Sequence, residues 1–209
     1  MTRFLVVFDV DSTLIEDEAI ELLADASGTR ELVTEITERA MRGELDFKAS
    51  LFERVATLAG LDASVLDTTA ARLRPTKGAK ELIEEIHARG GKAAAVSGGF
   101  NQLLGDLRLD LGLDFAQANT LEVIDGKLTG RVTGEIIDRA AKAKYLEQWA
   151  EELGLSAQHT IAVGDGANDL DMMAAAGLSV AFCGREKVRK AAKVAIDDRD
   201  LGYLISVLP

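Results

Sequence analysis

The chain has 209 residues and a mass of 22.3 kDa, enough for one large domain or a core carrying a smaller module. With 24 Lys and Arg against 35 Asp and Glu, the formal charge of -11 excludes a broad surface for nucleic acid or for an anionic membrane. The 47% hydrophobic content excludes a disordered chain, and the longest uncharged stretches, 93–105 and 172–184, are too short and too rich in Ser and Gly to span a bilayer.

Residues 4–8, Phe-Leu-Val-Val-Phe, form an apolar run of strand length that ends abruptly at Asp9. No signal-peptide pattern precedes it, and the lone Cys183 suits a reducing compartment, so a cytoplasmic location is expected. Nothing ahead of Phe4 suggests an appended regulatory module. From 16 to 72 apolar residues recur at helical spacing (Ile20, Leu23; Leu32, Val33, Ile36; Leu51, Val55, Leu58), and the stretch carries a net charge of -7. Several short helices without a strand are expected there.

After Pro75 the pattern predicts a helix over 78–89 closed by Gly90-Gly91, then a short apolar strand over 93–96 that stops at a loop, Ser97-Gly98-Gly99. Between 116 and 134 two alternating runs flank Asp125-Gly126, a hairpin turn dipeptide. An amphipathic helix over 142–153 follows, and further buried strands are expected over 160–163 and 178–182. Strands alternating with helices predict an α/β fold, a mainly parallel sheet with helices on both faces, a helical insertion after the first strand and a β-hairpin.

Three apolar runs end in chemically loaded segments: Asp9-Val10-Asp11-Ser12-Thr13, Ser97-Gly98-Gly99 and Gly164-Asp165-Gly166-Ala167-Asn168-Asp169. Ligands of open α/β sheets bind beyond the carboxyl ends of strands, so these segments are expected to converge. Asp9 and Asp11, if the strand continues, lean to one side and repel unless a cation intervenes. Asp165 and Asp169 add carboxylate, and an all-oxygen set favours a hard ion, Mg²⁺, over zinc. The two histidines, His87 and His159, lie outside these segments. Ser97 and the glycine N–H groups, at the expected start of a helix, suit phosphate, and an aspartate nucleophile with Mg²⁺ suits a phosphoester.

With these three motifs in this order the chain resembles the haloacid dehalogenase superfamily of phosphohydrolases, and within it the members acting on O-phospho-L-serine. The resemblance runs from Phe4 to Leu204 and implies a Rossmann-like core, 1–15 and 73–209, with a helical substrate-selecting cap, 16–72. It implies Asp9 as nucleophile and Mg²⁺ ligand, and Asp11 as acid then base with its backbone carbonyl on the metal. It further implies Ser97 and the Gly98 N–H as phosphoryl contacts, Asp165 as metal ligand, and Asp169 as its support through water or through a lysine.

A lysine should neutralise the phosphoryl group. Lys142 and Lys144 compete, about 200° apart on a helix of 3.6 residues per turn, and the match favours Lys142. In the cap the resemblance assigns Glu18 and Arg54 to the substrate ammonium and carboxylate, Met41 and Phe47 to apolar contacts, and in the third loop Asn168 to a substrate contact. The implied partner is a small phosphoester, with no nucleic acid or membrane. Two other readings remain open at this point. One is a related enzyme acting on phosphothreonine or transferring phosphate to homoserine; the other is a non-catalytic phosphate-binding module.

Overall fold

The computed structural model describes residues 2–41 and 44–209, with Met41 through its backbone alone. Strand β1 (Leu5–Phe8) leads into four helices, α1 (Ala19–Ser27), α2 (Arg30–Met41), α3 (Phe47–Ala56) and α4 (Ser64–Ala70). Helix α5 (Ala79–Ala88), β2 (Lys92–Phe100), α6 (Asn101–Leu111) and the hairpin strands β3 (Phe115–Ile124) and β4 (Lys127–Thr133) follow. The chain ends with α7 (Arg139–Glu152), β5 (Thr160–Gly164), α8 (Leu170–Ala175), β6 (Leu178–Phe182), α9 (Glu186–Ala191), β7 (Val194–Ile196) and a tight turn of helix over 201–207.

The strands form one sheet in the order β4-β3-β2-β1-β5-β6-β7, parallel except for β4. Every residue of β1 is 0% exposed, because its two faces feed separate cores. Phe4, Val6 and Phe8 pack with Leu82, Ile86 and Leu104 of α5 and α6, while Leu5 and Val7 pack with Leu146, Trp149 and Met172 of α7 and α8. This period of two is the reason a continuous apolar run reads as a central strand. Each buried phenylalanine is worth about 2–3 kcal/mol of transfer free energy.

The stretch expected to be helical is helical. Asp46 caps α3 by accepting from Ala49 N at 2.8 Å, and Gly28 closes α1 at φ +69. Ile20, Leu23, Val33, Leu51, Val55 and Leu66 of these helices share a third core with Phe100, Leu103, Leu121 and Leu128. The hairpin and the start of α6 therefore complete the apolar face of the inserted helices. Two strands of chain connect the insertion to the sheet, tied by a bridge between Ile15 and Pro75 and by Thr76 N donating to Leu14 O at 2.8 Å. Asp17 adds a 2.8 Å ion pair to Arg74.

The hairpin turns at Asp125 and Gly126, with φ of 50 and 73, as a two-residue turn between paired Ile124 and Lys127. Helix α7 starts three residues earlier than expected, where Asp138 accepts from Ala141 N at 3.0 Å. One expectation is corrected: Ser97-Gly98-Gly99 is not a loop but the continuation of β2, which runs to Phe100 before α6 begins. Its pairing with β3 shifts register between Val96 and Phe100, so the glycines stay extended while the ladder slips beside them. The helix expected to start at Ser97-Gly98-Gly99 is α6, which begins only at Asn101 and buries Leu103, Leu104, Leu107 and Leu111. Among the described residues no helix is long and apolar enough to cross a membrane.

Candidate active site

Strands β1, β2 and β5 are neighbours, and their carboxyl ends open at the point where the chain order reverses across the sheet. A cavity of about 450 Å³ lies there, lined from the sheet by Asp9, Asp11, Gly98, Gly99 and Asp165, and from the inserted helices by Glu18, Phe47 and Arg54.

Asp9 still pairs with the sheet, its N–H donating to Val163 O at 2.9 Å, and the residue is 4% exposed. Oδ1 accepts from Val10 N at 2.8 Å and from Lys142 Nζ at 2.6 Å, which leaves Oδ2 without a hydrogen-bond partner among the described residues. Lys142, 1% exposed, also donates to Asp169 Oδ1 at 2.7 Å. Lys144 instead lies exposed on the far side of α7, paired with Glu135 at 2.7 Å. Of the two lysines the helix offered, the fold thus brings Lys142 to the carboxylates.

Beyond Asp9 the backbone leaves the strand, and Ser12 adopts φ +58. The Asp11 carboxylate turns away from that of Asp9: Oδ1 accepts from Ala19 N at 2.7 Å and Oδ2 from Ser97 Oγ at 3.0 Å. The side-by-side pair expected from a continued strand is therefore replaced by two carboxylates with separate partners. Ser97 Oγ also accepts from Gly99 N at 2.7 Å. Gly98 lets the ring of Phe47 close on β2, since a Cβ there would stand 3.1 Å from the ring. Ser12 Oγ donates to Glu18 Oε1 at 2.7 Å, and Arg54 Nε to Ser50 O at 3.2 Å. Asn168 lines the cavity as well; the side chain of Met41 lies outside the described residues.

Asp9, Asp165 and Asp169 each offer an oxygen, all within 4.8 Å of one another. Burial, then the Asp169 charge, push the Asp9 carboxyl well above its ordinary value, with Lys142 opposing. Burial and Asp169 likewise push Asp165 up to about 6. Burial alone would lower the Lys142 ammonium, but Asp169 and Asp9 overcome it and hold it above its ordinary value. One lysine thus serves several carboxylates, and the excess negative charge fits a hard divalent cation with oxygen ligands. Asp169 has committed Oδ1 to Lys142 and Oδ2 to Gly166 N at 3.0 Å, so Asp9 Oδ2 and Asp165 are the open donors. A Cβ on Gly164 would collide with Asp169, so only glycine lets that carboxylate sit behind the strand end. His87 and His159 bond to Asp114 and Ser156, away from the cluster.

Burial, then the Asp11 charge, push Glu18 up to about 7, against the bond from Ser12. Burial lowers the Arg54 guanidinium, against Glu18 and Asp11. Sequence reasoning missed Asn119, which is 0% exposed, donates to Gly98 O at 2.9 Å and accepts from Ile137 N at 2.9 Å. Its amide spans the gap left by the slipped ladder and joins β2 to the approach of α7. With Gln117, Thr120 and Glu122 in the same strand, nothing in the sequence singled Asn119 out. Arg185 also lines the cavity and was likewise not singled out by the sequence.

The haloacid dehalogenase-like hydrolase family model matches residues 5–177. A phosphoserine phosphatase of Streptococcus thermophilus is 51% identical over 98% of this chain and 95% of its own. One of Streptomyces coelicolor is 58% identical over 92% of this chain, which spans 47% of that longer protein. A solved phosphoserine phosphatase in complex with substrate covers 100% of both chains at TM-score 0.94 and 41% identity. Another, a phospho-aspartyl intermediate analogue of phosphoserine phosphatase, covers both fully at TM-score 0.94 and 42% identity. With its three loaded strand ends gathered on one cavity, the chain belongs to the haloacid dehalogenase-like hydrolases, within the phosphoserine phosphatase family.

Proposed function

We propose that the protein hydrolyses O-phospho-L-serine to L-serine and phosphate through an aspartyl-phosphate on Asp9, as the last step of serine synthesis in the cytoplasm. The observation that carries this reading is the cavity itself. The core seats Asp9 on Lys142 and Asp11 on Ser97, and the inserted segment lines the same cavity with Glu18 and Arg54. Phosphate chemistry and amino-acid recognition then share one space.

Asp9 Oδ2 attacks phosphorus while the bond to the serine oxygen breaks, and Asp11 gives that oxygen its proton. Asp11 next takes a proton from the water that attacks phosphorus and frees Asp9. Lys142 offsets charge on the phosphoryl oxygens. Ser97 and the Gly98 N–H donate to the same oxygens, which requires Ser97 Oγ to turn from Asp11. Asp9, Asp165 and the Asp11 carbonyl would hold Mg²⁺, with Asp169 behind through Lys142; bound there, the ion would neutralise charge on phosphate and nucleophile. Segment 16–72 acts as the cap over a core of 1–15 and 73–209. From it Glu18 meets the ammonium, Arg54 the carboxylate, and Met41 and Phe47 the apolar part; Asn168 contacts the substrate from the core.

Phosphate release from a panel of esters, with and without Mg²⁺, tests the reading. O-phospho-L-serine should exceed O-phosphothreonine and p-nitrophenyl phosphate in kcat/KM by about tenfold or more, with turnover lost in chelator and restored by Mg²⁺. Preference for another ester, phosphate transfer to added homoserine, or metal-independent turnover would overturn it.

Glu18 supplies a pH test. Its raised value means that the folded protein favours the neutral acid: this contribution to stability is full below the ordinary value of 4.5 and is lost as pH rises towards about 7. An ammonium needs the ionised form, so KM for O-phosphoserine should fall as pH rises through about 7 and level off above it. The substrate phosphate also titrates near about 6. Parallel profiles with p-nitrophenyl phosphate and with Glu18→Gln subtract that effect, and an identical slope in the variant would remove Glu18 from ammonium binding.

A further inference from the structure

We propose that Ser50 is a further specificity-determining residue, its hydroxyl donating a hydrogen bond to the substrate carboxylate beside Arg54. The inference rests on the reading of an amino-acid phosphoester given above. Phe47, Ser50, Leu51 and Arg54 fall at i, i+3, i+4 and i+7 on α3, one helix face, and all four line the cavity. Ser50 is 2% exposed, and its backbone is fully engaged: N donates to Asp46 O at 3.0 Å, and O accepts from Arg54 Nε at 3.2 Å. Its Oγ alone has no hydrogen-bond partner among the described residues.

Burying an unpaired hydroxyl is unfavourable, and alanine at this helical position would remove the penalty while forming helix better. Thr37, the other hydroxyl lining the cavity among the described residues, donates to Val33 O, and the hydroxyls next to the lining carboxylates are paired too, Ser97 on Asp11 and Ser12 on Glu18. The other unpaired buried hydroxyls, Thr13 and Thr76, do not line this cavity.

The position of Ser50 selects its ligand. It lies one helical turn from Arg54, whose Nε is occupied by the Ser50 carbonyl, so among the described residues the two terminal guanidinium nitrogens remain for a planar acceptor. A carboxylate accepts only, and rotation about one bond lets Ser50 Oγ donate to it alongside the guanidinium. The substrate ammonium, a donor, belongs instead with the Glu18 carboxylate.

The test compares O-phospho-L-serine with O-phosphoethanolamine, which keeps phosphate and ammonium but lacks the carboxylate. Ser50→Ala should raise KM for O-phosphoserine about tenfold, the loss of one hydrogen bond to a charged group, with kcat little changed. KM for O-phosphoethanolamine should not move, and the melting temperature should hold or rise. An unchanged KM for O-phosphoserine overturns the proposal, as does an equal loss on both substrates, which would mark a packing role. Wild-type protein that turns over the two esters equally well overturns the amino-acid reading itself, a failure visible without the variant, and Ser50 falls with it.

Discussion

Asp9→Asn should abolish turnover, lowering kcat by about 10⁴-fold or more, while leaving the fold intact. The amide is isosteric with the carboxylate, so its oxygen can keep the bonds from Val10 N and Lys142 that Oδ1 now accepts. What it loses is the charge and the open Oδ2 facing the cavity. The carboxyl of Asp9 is raised well above its ordinary value by burial and by Asp169. Its protonated form therefore stabilises the fold below the ordinary value of 3.8, and that contribution disappears as pH rises through the raised value. Asparagine imitates the protonated state, so the metal-free variant should melt at or above the wild-type temperature. Single-turnover phosphate release and thermal melts, side by side, check both halves. A variant that is active refutes the nucleophile, and one that is inactive but markedly less stable points to a structural role instead.

Lys142→Ala should damage activity and stability together. Its ammonium lies 2.6 Å from Asp9 and 2.7 Å from Asp169, with all three side chains buried. Removing it leaves two buried carboxylates without their cation, a loss of about 3–5 kcal/mol, or a fall in Tm of about 6–20 °C for a chain of this size. The charge lost beside the phosphoryl group should lower kcat by about 10²- to 10³-fold. Lys144→Ala is the control: its pair with Glu135 is exposed, and such pairs contribute about 1 kcal/mol or less. Circular-dichroism melts and initial rates for the two variants decide the matter, and similar behaviour of both would reject the assignment of Lys142.

Local chemistry made much of the architecture readable. The run at 4–8 had to be a central strand because no residue in it tolerates solvent, and Asp125-Gly126 had to turn because both positions take positive φ. The acidic 16–72 stretch announced helices through spacing alone. Asp9, Asp11, Ser97 and Asp165 were legible as a set because each follows an apolar run, and parallel strands deliver such ends to one edge.

The remainder depended on partners far away along the chain. A helical wheel separates Lys142 from Lys144 but does not say which faces inward; Asp9, 133 residues away, does. That β2 continues through Ser97-Gly98-Gly99 depends on β3 slipping beside it and on the Asn119 amide filling the gap. The partners of the Asp11 carboxylate, the crowding that raises Glu18 and the unpaired hydroxyl of Ser50 have no local signature. Periodicity and turn preference arise between residues a few positions apart and are written in the sequence. Desolvation and the pairing of buried charges depend on which distant segments close around a group, so they exist only once the chain has folded.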